Sequence, residues 1–348
     1  MAIGSVYPKS FASDNHAGVH PDVLAAISEA NVGDAPAYGV DRWTHDFEER
    51  VKDAFGGDAV GFPVLNGAGA NMVGLAEMVG RYDAIICPDT AHIVTHETGA
   101  SERLLGVKLL TVPTEDGKLV ASDIEARLGA VGMAHEPQPR VVSISEVSEL
   151  GTCYSPDEIA ALAEVAHGNS LLLHMDGARL ANAAAYLGCS LQAITTDVGV
   201  DMVSLGGTKN GALAAEAVVV LRPSLATGIP FLWRQSLQLA SKTRFISVQL
   251  STLLSDNLWQ TNAAHANAMS RRLADGVADV PGISIRYPVQ SNAVFATLPE
   301  HAITSLQEQF AFHVWDASES VVRWMTAFDT TPDHVDDFLA AIRKAMSV

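Results

Sequence analysis

The segment SLGGTKNGALAAEAVVVL, residues 204–221, places a single lysine, Lys209, between two apolar stretches. Glycines lie on both sides of this lysine, and they let the backbone approach a neighbour or a ligand closely. The runs at 202–207 and 216–222 are typical of buried strands. Most lysines are solvated on a protein surface. Lys209 is therefore either a solvated turn residue or a functional amine at the end of a strand.

The sequence on either side repeats this pattern and predicts an α/β fold. Further short apolar runs lie at 84–88, 108–113, 140–145 and 170–176, with helical patterns between several of them. Near-continuous apolar strands separated by helices are typical of a mostly parallel sheet that helices cover on both faces. One of these helices is expected to begin after Ser155, with Glu158 completing a capping box.

The length of the chain predicts two domains. Its 348 residues exceed the size at which a single hydrophobic core usually stops growing. After residue 230 the pattern changes to long helical stretches, followed by a few strands and a closing helix. We assign residues 1–250 to a large domain that carries the sheet and residues 251–348 to a smaller α+β domain.

Composition and charge narrow the class of protein. Hydrophobic residues make up 48% of the chain and charged residues 18%, as in a globular protein. The net charge is −18, from 22 basic and 40 acidic side chains, which argues against nucleic acid and anionic membranes as partners. A phosphate ligand would therefore have to be bound locally, by backbone N–H groups and a few arginines.

The cysteines and the N-terminus bear on location and on metal binding. Cys87, Cys153 and Cys189 are odd in number and have no C-x-x-C spacing, as expected of reduced thiols rather than of a zinc site. The first residues, MAIGSVYPKSF, lack the charged and apolar regions of a signal peptide. No apolar run reaches the ~18 residues of a membrane span. We expect a cytoplasmic protein without a metal site.

Three motifs fall where ligands bind in open α/β sheets, at the carboxyl ends of strands. Asp176 closes the apolar strand in LLLHMDGARLANA (171–183), where a turn or cap role is the ordinary alternative. Lys209 follows the next strand. A third segment, VLNGAGANMVGLAEMV (64–79), opens a helix with small residues and so offers an anion site at a helix N-terminus.

These three motifs together match one cofactor. A partly desolvated lysine has a lowered pKa and can form a Schiff base with an aldehyde. An aspartate can keep a pyridine nitrogen protonated, and a helix N-terminus can bind a phosphate group. These are the requirements of pyridoxal 5′-phosphate, PLP. The sequence therefore predicts a PLP site at this edge of the sheet.

Six segments, in order between Ser13 and about Asn292, resemble the L-threonine aldolase family. They are SDNHAGVHPDVLAAISEANVGDAPAYGVD, NGAGAN, AHIVTHETGA, SELGTCYSPDEI, HMDGARLANA and SLGGTKNG. The run ELGTCYSP is similar to the bacterial low-specificity members. That family belongs to the β-eliminating-lyase branch of fold-type I PLP enzymes. The resemblance implies their fold, with a seven-stranded, mostly parallel sheet and a smaller C-terminal domain.

The resemblance implies roles around the cofactor ring. Lys209 would bind PLP covalently, and Asp176 would pair with the pyridine nitrogen. His92 would stack on the ring and is a candidate base near the substrate hydroxyl. Without the family, His92 would be interpreted as an ordinary surface or core histidine.

Phosphate and subunit contacts are also implied. The N–H groups of Gly67, Ala68 and Gly69 would bind the phosphate, although the family commonly has a hydroxyl residue at the Ala68 position. Arg234 and Lys242 lie where the family reaches the phosphate from a neighbouring subunit. The segment FLWRQSLQLASKTRF (231–245), interpreted either as the start of an amphipathic helix or as an interface, combines aromatic and basic residues. We expect a homodimer or homotetramer with shared sites.

Substrate contacts complete the expected site. Arg179 and Arg323 would bind the α-carboxylate, because a planar guanidinium suits a carboxylate. Ser13 would assist with the same group.

The base that takes the hydroxyl proton stays open. Some family members have a histidine after the strand that ends at residue 145, where this chain has Glu149. His92, Glu97, His16 or a water molecule are the remaining candidates.

The expected reaction is retro-aldol cleavage of threonine, allo-threonine or another β-hydroxy-α-amino acid, phenylserine among them, to glycine and an aldehyde. A β-eliminating lyase or an aminotransferase is the alternative within PLP chemistry. A nicotinamide-dependent oxidoreductase is a more remote alternative. No G-x-G-x-x-G motif follows an early strand, which argues against it.

Overall fold

A seven-stranded sheet is the centre of the larger part of the computed structural model, which describes residues 9–347. Its strands are β1 (Val60–Val64), β2 (Asp83–Pro88), β3 (Lys108–Val112), β4 (Gln138–Ser145), β5 (Leu172–Gly177), β6 (Met202–Gly206) and β7 (Glu216–Val220). The order across the sheet is β1-β7-β6-β5-β4-β2-β3. Within this sheet β7 runs antiparallel to both neighbours, and the other six strands point in one direction. The predicted α/β fold is confirmed.

The edge strand β1 is not among the strands predicted from the sequence. β1, with the sequence VGFPV, contains Gly61 and Pro63, and both residue types are depleted in strand interiors. As the outermost strand, β1 pairs only with β7 inside the sheet, so a proline there disturbs few ladder bonds. Its carboxyl end leads directly into the small-residue helix.

Helices pack on both faces of the sheet. In the large part of the chain they are α1 (Pro21–Ala30), α2 (Arg42–Phe55), α3 (Gly67–Met78), α4 (His92–Thr95), α5 (Ala121–Glu125), α6 (Pro156–Gly168), α7 (Leu180–Leu187), α8 (Ile229–Gln235) and α9 (Arg244–Leu254). The capping box predicted for Ser155 and Glu158 is present at the start of α6. α2, α6 and α7 contribute to the core on one face, and α3 and α8 to the core on the other.

The two faces of the central strands differ in polarity near their carboxyl ends. On β5, Leu173 and Met175 point into the core that α6 and α7 cover. His174 and Asp176 alternate with them and therefore point to the opposite face. In register with Asp176 lie Ser145 on β4 and Ser204 on β6. Strands that look continuously apolar in the sequence thus carry polar side chains on one face of the sheet, near their carboxyl ends.

The long helical pattern after residue 230 is divided into three helices, α8, α9 and α10 (Leu258–Val277). Of the two interpretations of 231–245, the start of one amphipathic helix is wrong, since α8 ends at Gln235 and Leu237 has a φ of 61°. α9 and α10 are separated at Asp256 and Asn257, whose φ values are 50° and 57°. Asp and Asn adopt this left-handed conformation more easily than other residues with side chains. Helical periodicity continues across such breaks and so conceals them.

A second, antiparallel sheet lies in the C-terminal part of the chain. It contains β8 (Ser284–Ile285), β9 (Ala293–Thr297), β10 (His313–Asp316) and β11 (Val321–Met325), in the order β10-β11-β9-β8. It packs with α11 (Glu300–Gln307), α12 (Pro332–Met346) and the second half of α10. No helix within residues 9–347 has the length and apolar character that crossing a membrane requires.

The N-terminal segment belongs to the core of this second sheet. Phe11 is fully buried there, and its ring stacks on that of Phe338 at a centroid distance of 4.3 Å. Its backbone N–H donates to the carbonyl of Ala311, and its carbonyl accepts from the N–H of Met325. The division at residues 250 and 251 falls inside α9 and stays a prediction.

A buried carboxyl group limits the stability of the large sheet. Glu146, directly after β4, is 0% exposed and accepts a hydrogen bond from the Tyr154 N–H. Burial raises the pKa of Glu146 to about 8. Because the same carboxyl ionises near its ordinary pKa in the unfolded chain, the free energy of unfolding falls as the pH rises from about 4.5 to about 8.

We predict that Glu146→Gln stabilises the protein at pH 8.5 by a few kcal/mol, with little effect near pH 4.5. The amide keeps the acceptor for Tyr154 and removes the ionisation that favours unfolding. Urea unfolding at both pH values measures the difference, with the exposed Glu136→Gln as the matched control. An equal effect at both pH values would contradict the prediction.

Candidate active site

The carboxyl ends of β1, β2, β4, β5 and β6 meet along one edge of the large sheet. The residues at or just after these ends are Gly67, His92, Glu149, Asp176 and Lys209. They come from segments spread over more than a hundred residues, and the parallel strand direction brings them to the same edge. This edge is the candidate active site.

Lys209 lies in a short turn, Thr208–Asn210, directly after β6. The turn is held by Glu216 at the start of β7, whose carboxylate accepts the N–H of Gly207 at 2.7 Å. Burial, and then the positive charge of Arg179, lower the pKa of Lys209. A lowered pKa leaves more of the amine unprotonated near neutral pH, and the unprotonated amine is the nucleophile. The solvated-turn interpretation of Lys209 does not fit this environment.

Asp176 accepts a hydrogen bond from the side-chain amide of Asn71. The Asn71 Nδ2 atom donates at 2.9 Å to Asp176 and at 2.9 Å to Glu97. Asn71 lies in α3, so this amide connects the small-residue helix with the ends of two other segments. Asp176 also accepts the N–H of Ala178, which is a turn contact of the ordinary kind.

His92 begins α4 and is oriented by two glutamates. Its Nδ1 lies 3.0 Å from Glu97 Oε1, and its backbone N–H donates to Glu149 Oε1 at 2.7 Å. The hydrogen bond with Glu97 raises the pKa of His92, although burial works in the opposite direction. The side chain of His92 is 41% exposed, whereas that of Glu97 is 1% exposed. The imidazole therefore faces the open side of the site.

Glu149, after β4, contacts the backbone of His92 and the side chain of Ser145. Besides the His92 N–H, its Oε1 accepts the hydroxyl of Ser145 at 2.7 Å. Burial raises the pKa of Glu149 to about 7, and the negative charge of Asp176 acts in the same direction. Its Oε2 is buried and has no hydrogen-bond partner within residues 9–347.

Three acid and base side chains lie close enough together to hold a metal ion. Ligand atoms of His92, Glu97 and Asp176 are within 4.8 Å of one another. However, the Asn71 amide already donates to both carboxylates, and His92 is bonded to Glu97. These contacts account for the cluster, and the expectation of no metal stays a prediction.

The N-terminus of α3 has the features of an anion site. Asn66 caps the helix by accepting the N–H of Gly69 at 2.7 Å, so this N–H is already used. The first-turn N–H groups of Gly67 and Ala68 have no partner inside the helix. A Cβ atom added at Gly67 would meet nothing within 4 Å, whereas one at Gly69 would collide with Gln238. The space in front of α3 is therefore open at Gly67 and closed at Gly69.

Arg179, directly after β5, is already paired with a carboxylate of the protein. Its Nε and Nη2 atoms donate to the two oxygens of Asp14 at 2.7 and 2.9 Å. Burial of Asp14 would raise the pKa of this carboxyl, but Arg179 outweighs it and holds the pKa at about 2. Asn292 adds a third hydrogen bond to Asp14, at 3.0 Å.

Arg323, on β11, is held more loosely. Its Nη2 donates to the carbonyl of Ala12 at 3.2 Å, and its guanidinium lies over the ring of Trp315 at 5.2 Å. Its Nε is buried and has no acceptor within the described part of the chain. Burial and the charge of Arg179 lower the pKa of Arg323 to about 10. Ser13, next to Asp14, accepts the N–H of Asn15.

Three predicted residues lie outside this group. Arg234 is exposed and its guanidinium lies over the ring of Tyr38 at 4.8 Å, and Lys242 is also exposed. Within residues 9–347 neither has an ion pair. His16, a candidate base, is exposed and contacts the hydroxyl of Ser10.

Two contributors are absent from the predicted set, Asp14 and Asn71. Asp14 adjoins the predicted Ser13, and Asn71 is a polar residue in a helix start made of small residues. These positions are the two features of the sequence that could have pointed to Asp14 and Asn71. Neither signal reveals a partner, because both pairings connect segments more than a hundred residues apart.

Comparison with known proteins identifies the family, a family of lyases, to which this fold and this site belong. The sequence model of the beta-eliminating lyase family matches residues 10–300, so the chain belongs to that family. It is 40% identical to a low specificity L-threonine aldolase of Pseudomonas aeruginosa, over 98% of this chain and 99% of the relative.

Two further relatives agree. A second low specificity L-threonine aldolase, from Pseudomonas sp. strain NCIMB 10558, is 39% identical over 97% of this chain and 98% of the relative. The solved structure of a threonine aldolase from Leishmania major superposes with a TM-score of 0.92 and 29% identity, covering 97% and 100% of the two chains. The resemblance drawn from the sequence motifs is confirmed.

PLP is the cofactor of this family, and the residues present fit it. The open N-terminus of α3 suits a phosphate group. A buried carboxylate, Asp176, suits a protonated pyridine nitrogen, and the depressed pKa of Lys209 suits an amine that binds an aldehyde. Each of these three groups lies at the same edge of the sheet.

We predict that Glu97→Gln lowers the pKa of His92, because the hydrogen bond to a charged carboxylate is the main cause of its elevation. NMR titration of the His92 ring, assigned by the signal missing in His92→Gln, measures this pKa. The exposed Glu102→Gln is the matched control. An unchanged His92 pKa in Glu97→Gln would show that Glu97 does not orient the ring.

Proposed function

We propose that this chain cleaves threonine, allo-threonine and related β-hydroxy-α-amino acids to glycine and an aldehyde. The observation that carries the proposal is the position of the partly buried Lys209 directly after β6, at the same edge of the sheet as Asp176 and the N-terminus of α3. Burial and the charge of Arg179 lower the pKa of this lysine. The names of the Pseudomonas and Leishmania relatives support the same reaction. PLP, when bound, supplies a sink for the electrons of the bond that breaks at Cα.

The proposed roles around the cofactor follow the geometry at the sheet edge. Lys209 would supply the amine that holds PLP, and Asp176, held by the Asn71 amide, would pair with the pyridine nitrogen. The N–H groups of Gly67 and Ala68 bind the phosphate. Gly69 shapes the helix start, since Asn66 already uses its N–H.

Arg179, Arg323 and Ser13 bind and orient the substrate carboxylate in this proposal. Orientation matters because the bond that is broken must be aligned with the electron sink. The unpartnered Nε of Arg323 supports this role, since a buried donor without an acceptor is costly unless a ligand satisfies it.

His92 is the proposed base for the β-hydroxyl. The proton moves from the hydroxyl to the imidazole, the C–O bond becomes the carbonyl of the aldehyde, and the Cα–Cβ bond breaks. The electron pair of that bond stays with Cα, and a proton taken up at Cα completes glycine. Glu97 is buried, and His16 lies outside the site with a contact to Ser10, so His92 is the candidate that both lies in the site and is open to a ligand. A positioned base contributes roughly 10²–10⁴-fold to a rate.

Lys209→Ala is predicted to abolish threonine cleavage and to remove the visible absorbance of the bound cofactor. Borohydride should fix the cofactor to the wild type and not to the variant. The exposed Lys108→Ala is the matched control and should keep both properties. A Lys209→Ala protein that is still labelled would show that another lysine holds the cofactor.

The product analysis separates this function from its alternatives. Glycine and an aldehyde indicate aldol cleavage, whereas a keto acid indicates β-elimination or transamination. If the wild type forms only a keto acid, the proposed function is wrong although the cofactor assignment stands.

We also propose that the chain forms a homodimer or a pair of dimers, in the cytoplasm, with residues 1–250 and 251–348 as its two domains. An exposed surface made of Tyr38, Phe231, Arg234 and Leu237 supports the assembly. Phe231 and Leu237 are 77% and 84% exposed, and Arg234 stacks on Tyr38. Aromatic residues beside an arginine are common at interfaces. The three unpaired cysteines support the location.

Phe231→Asp is predicted to lower the mass measured by light scattering to that of a single chain and to weaken cofactor binding. A buried charge without a partner disfavours the interface, and the phosphate contacts from Arg234 and Lys242 of a second copy would be lost. Val131→Asp, at a comparably exposed apolar residue, is the control. A wild type that is a single chain with bound PLP would contradict the assembly and remove Arg234 and Lys242 from the site.

A further inference from the structure

The two arginines of the site differ in how much of each guanidinium is free. Asp14 engages the Nε and Nη2 of Arg179, which is the two-pronged edge that binds a carboxylate best. Met325 Sδ lies 3.6 Å from the same Nη2. Arg179 therefore has chiefly its Nη1 end left for a ligand. A carboxylate of the protein already fills the position that a substrate carboxylate would take.

Arg323 has the opposite arrangement. Within residues 9–347 its one hydrogen bond is a 3.2 Å contact with the Ala12 carbonyl, and its Nε has no acceptor. Trp315 lies against the guanidinium and covers one face of it without using its N–H groups. No carboxylate of residues 9–347 forms an ion pair with Arg323, whereas Arg179 has Asp14.

Asp14 is buried and is held in place by hydrogen bonds from two parts of the chain. Its side chain is 0% exposed and receives hydrogen bonds from Arg179 after β5 and from Asn292 before β9. Burying a carboxylate is costly unless charge and hydrogen bonds compensate for it. The N-terminal segment, the large sheet and the C-terminal part thus meet at one carboxylate.

We propose that Asp14 is a positioning residue that occupies the bidentate edge of Arg179 and neutralises its charge, so that Arg323 is the main ligand of the substrate carboxylate. This division of roles rests on the proposed function only for the identity of the substrate. Arg179 then orients the carboxylate through its Nη1 end, and its charge is balanced before a substrate enters.

The charges around Lys209 support this arrangement. Arg179 lowers the pKa of Lys209, whereas Asp14 acts in the opposite direction. Because Asp14 balances the charge of Arg179, it moderates the effect of that arginine on the reactive amine.

Asp14→Asn tests the proposal directly. The asparagine removes the competing charge, so we expect glycine to bind the holoenzyme roughly tenfold more tightly while kcat for threonine falls roughly tenfold or more, because Arg179 is no longer held. Glycine binding is followed by the change in visible absorbance, and glycinamide, which lacks the carboxylate, should show no such gain. Asp336→Asn is the matched control, since Asp336 forms the same two-pronged pair with Arg272 on the surface.

Arg323→Gln gives a second test that does not depend on the stability of the Asp14 variant. Glycine binding should weaken roughly 10–100-fold and lose its preference over glycinamide. The proposal is overturned if Arg323→Gln binds glycine normally, or if a folded Asp14→Asn binds glycine as weakly as Arg323→Gln. Glycine binding does not require cleavage, so a wild type that binds glycine without cleaving threonine would reject the proposed function and leave this proposal testable.

Discussion

The candidate site depends on one amide that bonds to two buried carboxylates. The Asn71 Nδ2 group donates to both Asp176 and Glu97 at 2.9 Å, and Glu97 in turn lies 3.0 Å from the Nδ1 of His92. Burying a carboxylate is costly unless hydrogen bonds compensate for it. The roles proposed for Asp176 and His92 therefore both depend on Asn71. A single side chain on α3 connects the proposed phosphate end of the site to its proposed acid and base groups.

The sequence was sufficient for the fold and for the residues that end the strands. Apolar runs of strand length predicted six of the seven strands in the large sheet, because burial on both faces leaves a continuous apolar signal. Asp176 and Lys209 interrupt that signal where each strand ends, and so they could be recognised. β1 escaped recognition because Gly61 and Pro63 weaken the same signal at an edge.

The residues that the sequence did not reveal act through contacts between distant segments. Asp14 and Asn71 look like an ordinary loop residue and an ordinary helix residue until their partners are placed beside them. The breaks at Leu237 and at Asp256 and Asn257 escaped for a different reason. Helical periodicity records which side chains face the core, and it persists across one or two residues that leave the helical conformation.

The aromatic pair of Phe11 and Phe338 has a consequence for how the protein is made. These rings stack at 4.3 Å although they lie near opposite ends of the chain. During synthesis the first ring leaves the ribosome long before its partner exists, so the core of the smaller sheet cannot close until translation is nearly finished. Asp14 lies three residues beyond Phe11, on the same segment. A chain that stops before α12 therefore contains Lys209 but lacks the anchor of the N-terminal segment that carries Asp14.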